Sequence, residues 1–117
     1  MDKDAPEEFT RTRSGLYYRI LRKSHGRPPH SVDRVLAHYK GWLKNGRQFD
    51  SSYDRGEPTE FALNAVVQGW TEGLQLIGEG GMIELEIPPS LGYAAQPPPG
   101  IPPNSTLHFI IELIEIK

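Results

Sequence analysis

The 117-residue sequence contains no cysteine. That absence excludes disulfides, thiolate metal sites and a cysteine nucleophile together, and it suits a reducing or an oxidising compartment equally. No apolar run approaches the ~20 residues of a membrane-spanning helix, so no membrane partner is expected. There is no basic excess either: 13 Lys and Arg against 15 Asp and Glu give a formal net charge of -2. Nothing therefore draws the chain electrostatically to a nucleic acid. Met1 to Arg13 is mostly charged and lacks the apolar core of a secretion signal. The chain as given is expected in the cytoplasm, with a periplasmic or secreted location as the alternative if an N-terminal segment has been removed.

Several constellations that carry chemistry are missing as well. The histidines, His25, His30, His38 and His108, show no metal-type spacing, so neither metal nor cofactor is expected. Gly78-Glu79-Gly80-Gly81 lacks the Lys and Ser/Thr of a phosphate cradle and reads as a turn. Ser51-Ser52 has no nucleophile elbow around it.

What is present is one core's worth of chain, 37% apolar and 24% charged. At its centre Trp70, Leu74 and Ile77 recur at the spacing of one helical face. The spacing predicts a short helix started at Trp70 and stopped by Gly78 and Gly80-Gly81, residues that accept positive φ. A helix this short must be held by packing, and the flanking segments supply a sheet. Strands are predicted at 16–21, with Leu16, Tyr18 and Ile20 on one face, at 34–43, and at 48–52 after an Asn45-Gly46 hairpin turn in which both residues accept positive φ. A short strand at 59–63, a cleanly alternating one at 82–87 and a central one at 107–116 complete the set. The implied fold is α+β, a five- to six-stranded curved antiparallel sheet wrapped around one short helix. Residues 1–13 read as a charged tail, flexible at least to residue 8, and residues 14–117 as the domain.

Between Ile87 and Thr106 the sequence is dense in proline and cannot be sheet interior. It is either a stiff polyproline connection or a stiffened flap whose Tyr93 and Ile101 line a pocket. The second reading gathers force from the other large apolar residues: Tyr39, Phe49, Phe61, Val66, Val67, Trp70 and Phe109. Each alone is an ordinary core residue. Together they sit on paired strands, the helix start, the flap and the central strand, from which side chains can meet at one aromatic concavity of the kind that holds small ligands.

Four ordered blocks carry a resemblance: His38-Tyr39-Lys40-Gly41, Gly46-Arg47-Gln48-Phe49-Asp50-Ser51-Ser52, Val66-Val67-Gln68-Gly69-Trp70-Thr71-Glu72-Gly73, and Leu91-Gly92-Tyr93 with Ile101-Pro102-Pro103-Asn104-Ser105-Thr106-Leu107. From about Val32 to Lys117 the chain resembles the FK506-binding proteins, the FKBP-type peptidyl-prolyl cis-trans isomerases, and in pattern their macrophage-infectivity-potentiator branch. The resemblance implies an enzyme that accelerates X–Pro isomerisation without a cofactor. Its catalytic set falls on Tyr39, Phe49, Asp50, Val67, Trp70, Tyr93 and Phe109, and its ligand-binding set adds Arg55, Val66 and Ile101. Trp70 corresponds to the pocket floor, Tyr93 to a hydroxyl and Val67 to a backbone N–H that each bond a ligand carbonyl, and Asp50 to a pocket carboxylate paired with Arg55. Implied partners are proline-containing peptides, unfolded proteins and macrolides of the FK506 and rapamycin type, bound by a monomer. The alternative is a proline-segment binding or chaperone module with little turnover. The chain has Thr59 where many relatives carry a wall aromatic, and Ala94 to Gly100 replaces a Gly-rich stretch.

Overall fold

A computed structural model describes residues 1–117. Seven strands and two short α-helices follow in order: β1 (Thr10–Arg11), β2 (Tyr17–Arg22), β3 (Arg34–Leu43), β4 (Gln48–Ser51), α1 (Ser52–Arg55), β5 (Thr59–Ala62), α2 (Gln68–Leu74), β6 (Met82–Ile87) and β7 (Leu107–Ile116). All pairings are antiparallel, in the spatial order β1-β2-β6-β7-β3-β4, with β5 on the same edge of β3 as β4. The strand beyond the expected five or six is β1, two residues long and too short to show a period.

The two inner strands follow their side-chain period closely. In β6, Ile83, Leu85 and Ile87 are fully buried while Met82, Glu84 and Glu86 are half-buried on the other face. In β7, Leu107, Phe109, Ile111 and Leu113 point inward, and pairing with β6 and β3 places the strand at the sheet's centre. Each such side chain contributes roughly 1.5–3 kcal/mol by leaving water. On the outer face Arg19 and Glu84 are cross-strand partners joined by a 2.8 Å ion pair.

Local geometry departs from the sequence expectation at three places. Tyr18 and Ile20 pair with Leu85 and Ile83 and pack half-buried against the core as expected, and a β-bulge between Ile20 and Arg22 brings Leu21 into the core as well. The hairpin after β3 uses positive φ only at Gly46, at +89°; Asn45 instead accepts the Arg47 N–H through its side chain. The helix α2 ends at Leu74 rather than Gly78, because the N–H groups of Gln75, Leu76 and Ile77 bond carbonyls three residues back and tighten the last turn. Gly80 is the glycine there that adopts positive φ, and Ile77 remains in the core.

Within residues 1–13, expected as a tail, Thr10–Arg11 form β1 against β2 and the residues before them lie along β2. The Asp2 N–H donates to the Leu21 carbonyl at 2.6 Å, Lys23 pairs with Asp4, and Arg19 reaches the Pro6 carbonyl and stacks over the Phe9 ring.

Candidate active site

Helix α2 lies against the concave face of the sheet, and glycine makes the approach close. A Cβ at Gly69 would sit 2.7 Å from Ile87, and one at Gly73 2.7 Å from Leu85. This proximity places the Trp70 indole, 4% exposed, beneath a ring of aromatics. Tyr39 from β3 and Phe61 from β5 each lie 5.0 Å from it and Phe109 from β7 lies 5.3 Å away, at interplanar angles of 68–88°. Phe49 from β4 meets Phe109 edge to face at 5.5 Å. Edge-to-face pairs of this kind contribute about 0.5–1.5 kcal/mol beyond burial. Gly41 permits the last of them, since a Cβ there would lie 2.6 Å from Phe109 and 2.7 Å from Phe49.

Above the indole is an open cleft of about 300 Å³ lined by Tyr39, Phe49, Asp50, Phe61, Ala65, Val66, Val67, Trp70, Tyr93 and Phe109. Asp50 is the one charged side chain among them, and its charge is already matched. Its carboxylate accepts from the Tyr39 hydroxyl at 2.5 Å, from Arg55 Nη1 at 2.5 Å and from the Ser51 N–H at 2.9 Å. Arg55 also donates to the Tyr39 hydroxyl at 3.0 Å and to Thr59 Oγ1 at 3.1 Å. Burial alone would raise the Asp50 carboxyl; the Tyr39 and Arg55 hydrogen bonds and the guanidinium charge outweigh it and hold the group below its ordinary value. Burial raises Tyr39 and Tyr93, and the neighbouring Asp50 charge adds to both. The two phenols therefore remain protonated donors at neutral pH. The Tyr93 ring is 37% exposed at the rim, and no protein group hydrogen-bonds its hydroxyl. Val67 is the N-cap of α2, where the helix leaves an N–H without an internal partner.

Eight of the ten residues singled out from the sequence line this cleft. Ile101 does not: it is 8% exposed, packed in the core behind the flap, and borders a neighbouring groove. Arg55 stands behind Asp50, outside the lining. Phe61 and Ala65 line the cleft as well. Phe61 is among the large apolar residues expected at the concavity but absent from the sets implied by the family resemblance; its pairing with the fully buried Val35 puts it on the inward face. Ala65 lies on an irregular turn and gave no signal.

A curved antiparallel sheet closed on a short helix, with an aromatic cleft of about 300 Å³ between them, defines a class of α+β domain with a cleft of small-ligand size. Residues 25–114 match the family model described as FKBP-type peptidyl-prolyl cis-trans isomerase. The FKBP-type peptidyl-prolyl cis-trans isomerase FkpA of Escherichia coli (strain K12) is 49% identical over 117 residues, covering 99% of this chain and 43% of that protein. A probable FKBP-type peptidyl-prolyl cis-trans isomerase of Haemophilus influenzae is 50% identical over 91% of the chain and 44% of its own length. The crystal structure of Escherichia coli FkpA superposes with a TM-score of 0.92 at 46% identity, covering 96% of this chain and 53% of that one. AtFKBP13 superposes at 0.85 and 35% identity, covering 94% and 99%. The chain belongs to the FKBP-type peptidyl-prolyl cis-trans isomerase family. It spans less than half the length of the curated relatives it matches. No helix is long and apolar enough to cross a membrane.

Proposed function

We propose that residues 14–117 form a peptidyl-prolyl cis-trans isomerase domain acting on X–Pro bonds in peptides and unfolded proteins. The observation that carries this reading is a small-ligand-sized aromatic cleft whose sole charge is internally neutralised. Rotation about an X–Pro bond crosses a barrier of ~18–20 kcal/mol because it destroys amide resonance. It needs no nucleophile and no proton transfer. In the twisted transition state the imide carbonyl is less polarised and less strongly hydrated, so a water-poor aromatic cavity favours it over the planar ground state. Trp70, Phe61, Phe109 and Phe49 grip the pyrrolidine ring, while the Tyr93 hydroxyl and the Val67 N–H bond flanking carbonyls. Asp50 and Arg55 hold Tyr39 in place and take no part in acid–base chemistry. The same cleft suits macrolides of the FK506 type, whose binding is expected to compete with peptide.

A proline-limited refolding assay tests the activity. Substoichiometric protein is expected to accelerate the slow phase. Removing the Tyr93 hydroxyl by Tyr93→Phe should cost one hydrogen bond, a roughly two- to tenfold loss of kcat/KM. Trp70→Ala and Asp50→Ala should lose more, with circular dichroism confirming that each variant is folded. An unaccelerated slow phase, with proline peptides still bound, would replace this reading by that of a binding module.

A further inference from the structure

A second groove, about 310 Å³, adjoins the aromatic cleft and shares Phe49, Asp50 and Tyr93 with it. Its far side is the β3–β4 hairpin, through Arg47 and Gln48, and its roof is the flap, through Pro98, Pro99 and Gly100. The two concavities meet at these three shared side chains, so a peptide whose proline sits over Trp70 can lay its flanking chain in the groove. Consecutive extended residues advance about 3.3–3.6 Å, which brings positions within two of the proline into it.

The electrostatics of the groove are one-sided. The flap from Pro88 to Leu107 carries no charged side chain at all. Asp50 is engaged by Arg55 and Tyr39, and Gln48 spends its amide on Asp54. Arg47 has no carboxylate partner; one Nη2–H donates to the Gly100 carbonyl, which fixes the guanidinium across the groove and leaves its remaining donors free. A planar fork anchored on one side and open on the other suits a carboxylate.

We propose that this groove is a specificity subsite in which Arg47 selects proline segments bearing an Asp or Glu close to the proline. The inference rests on the isomerase reading for the position of the proline, and its test separates the two. Peptides with a single Glu, Gln or Lys at each of the two positions before and after one proline are isomerised by the full chain, and the ratio of kcat/KM for Glu over Lys is taken within each protein. At one of the four positions the ratio is expected to reach about two- to fivefold or more, the range of a single exposed ion pair, and to shrink as salt rises. Arg47→Lys should keep the preference, Arg47→Gln abolish it and Arg47→Glu invert it. Both neutral and acidic replacements lose the Gly100 bond, so a difference between them reports charge and not flap geometry. A ratio that is the same in Arg47→Glu as in the parent protein at all four positions overturns the proposal. The same peptides are followed by intrinsic tryptophan fluorescence. Charge-selective binding that inverts in Arg47→Glu without turnover would keep the subsite and remove the isomerase reading.

Discussion

Three donors converge on the carboxylate of Asp50, and that convergence governs how the cleft responds to pH. The group is partly exposed, so its interactions are screened, yet their sign is clear. A carboxylate whose folded-state value lies below its unfolded one adds stability that is fully present above the unfolded value and disappears as pH falls through the folded one. The Tyr39–Asp50–Arg55 arrangement should therefore survive acidification past 3.8, the ordinary Asp value, and come apart only below it. Side-chain carbon NMR checks this: Asp50 is expected to titrate below 3.8, and Arg55→Met to move its midpoint upward, since burial is then opposed by Tyr39 and the Ser51 N–H alone. A midpoint at or above the ordinary value in the parent protein would mean that the Arg55 contact is not formed in solution.

Among the elements, α2 is shaped more by its neighbour than by its own propensity. Two of its seven residues are glycine, a choice that costs a helix about 1 kcal/mol each relative to alanine. At Gly73 an added methyl would gain that amount in propensity. It would also drive a Cβ to 2.7–2.8 Å from both Leu85 methyls, on a side chain with no exposed surface, and overpacking of that kind costs ~1–3 kcal/mol. Packing should win: Gly73→Ala is expected to destabilise by about 1 kcal/mol in urea, and Gly73→Ala with Leu85→Ala to recover part of the strain in a double-mutant cycle. A stabilised Gly73→Ala would show that the helix can lift from β6 freely. The same comparison explains which elements were legible. Strands β3, β6 and β7 could be read because ten, six and ten residues are long enough to display a period of two. The four-residue α1 is too short to show a period; its Ser52 hydroxyl accepts the Tyr39 N–H at 2.6 Å, on the stretch of β3 between its β5 and β4 partners, a substitution of side chain for ladder that no periodicity reveals.

At the scale of the whole molecule, the cleft is assembled from β3, β4, β5, the start of α2, the flap and β7, whereas the N-terminal segment lies across the sheet along β2 and touches none of the lining. The aromatic members were legible because large apolar residues on separate elements have few places to meet. The bonding of Asp50 to both Tyr39 and Arg55, and the retreat of Ile101 into the core, depend on chain paths that turn and flap geometry decide. The topology separates stability from function in a way that can be measured. Removing residues 1–11 deletes β1 and the Asp2 to Leu21 hydrogen bond and leaves β2 as a bare edge. A few backbone hydrogen bonds, each worth about 0.5–1.5 kcal/mol net, amount to a drop in Tm on the order of 5–10 °C for a domain of this size. The exposed edge should also raise the tendency to associate at high concentration. Peptide affinity at 25 °C should be unchanged, because Trp70 and its ring of aromatics are anchored by α2, β3, β4, β5 and β7. Calorimetry and tryptophan-monitored peptide titration of the shortened chain check both parts, and a loss of affinity without a loss of Tm would show that the N-terminal segment reaches the cleft after all.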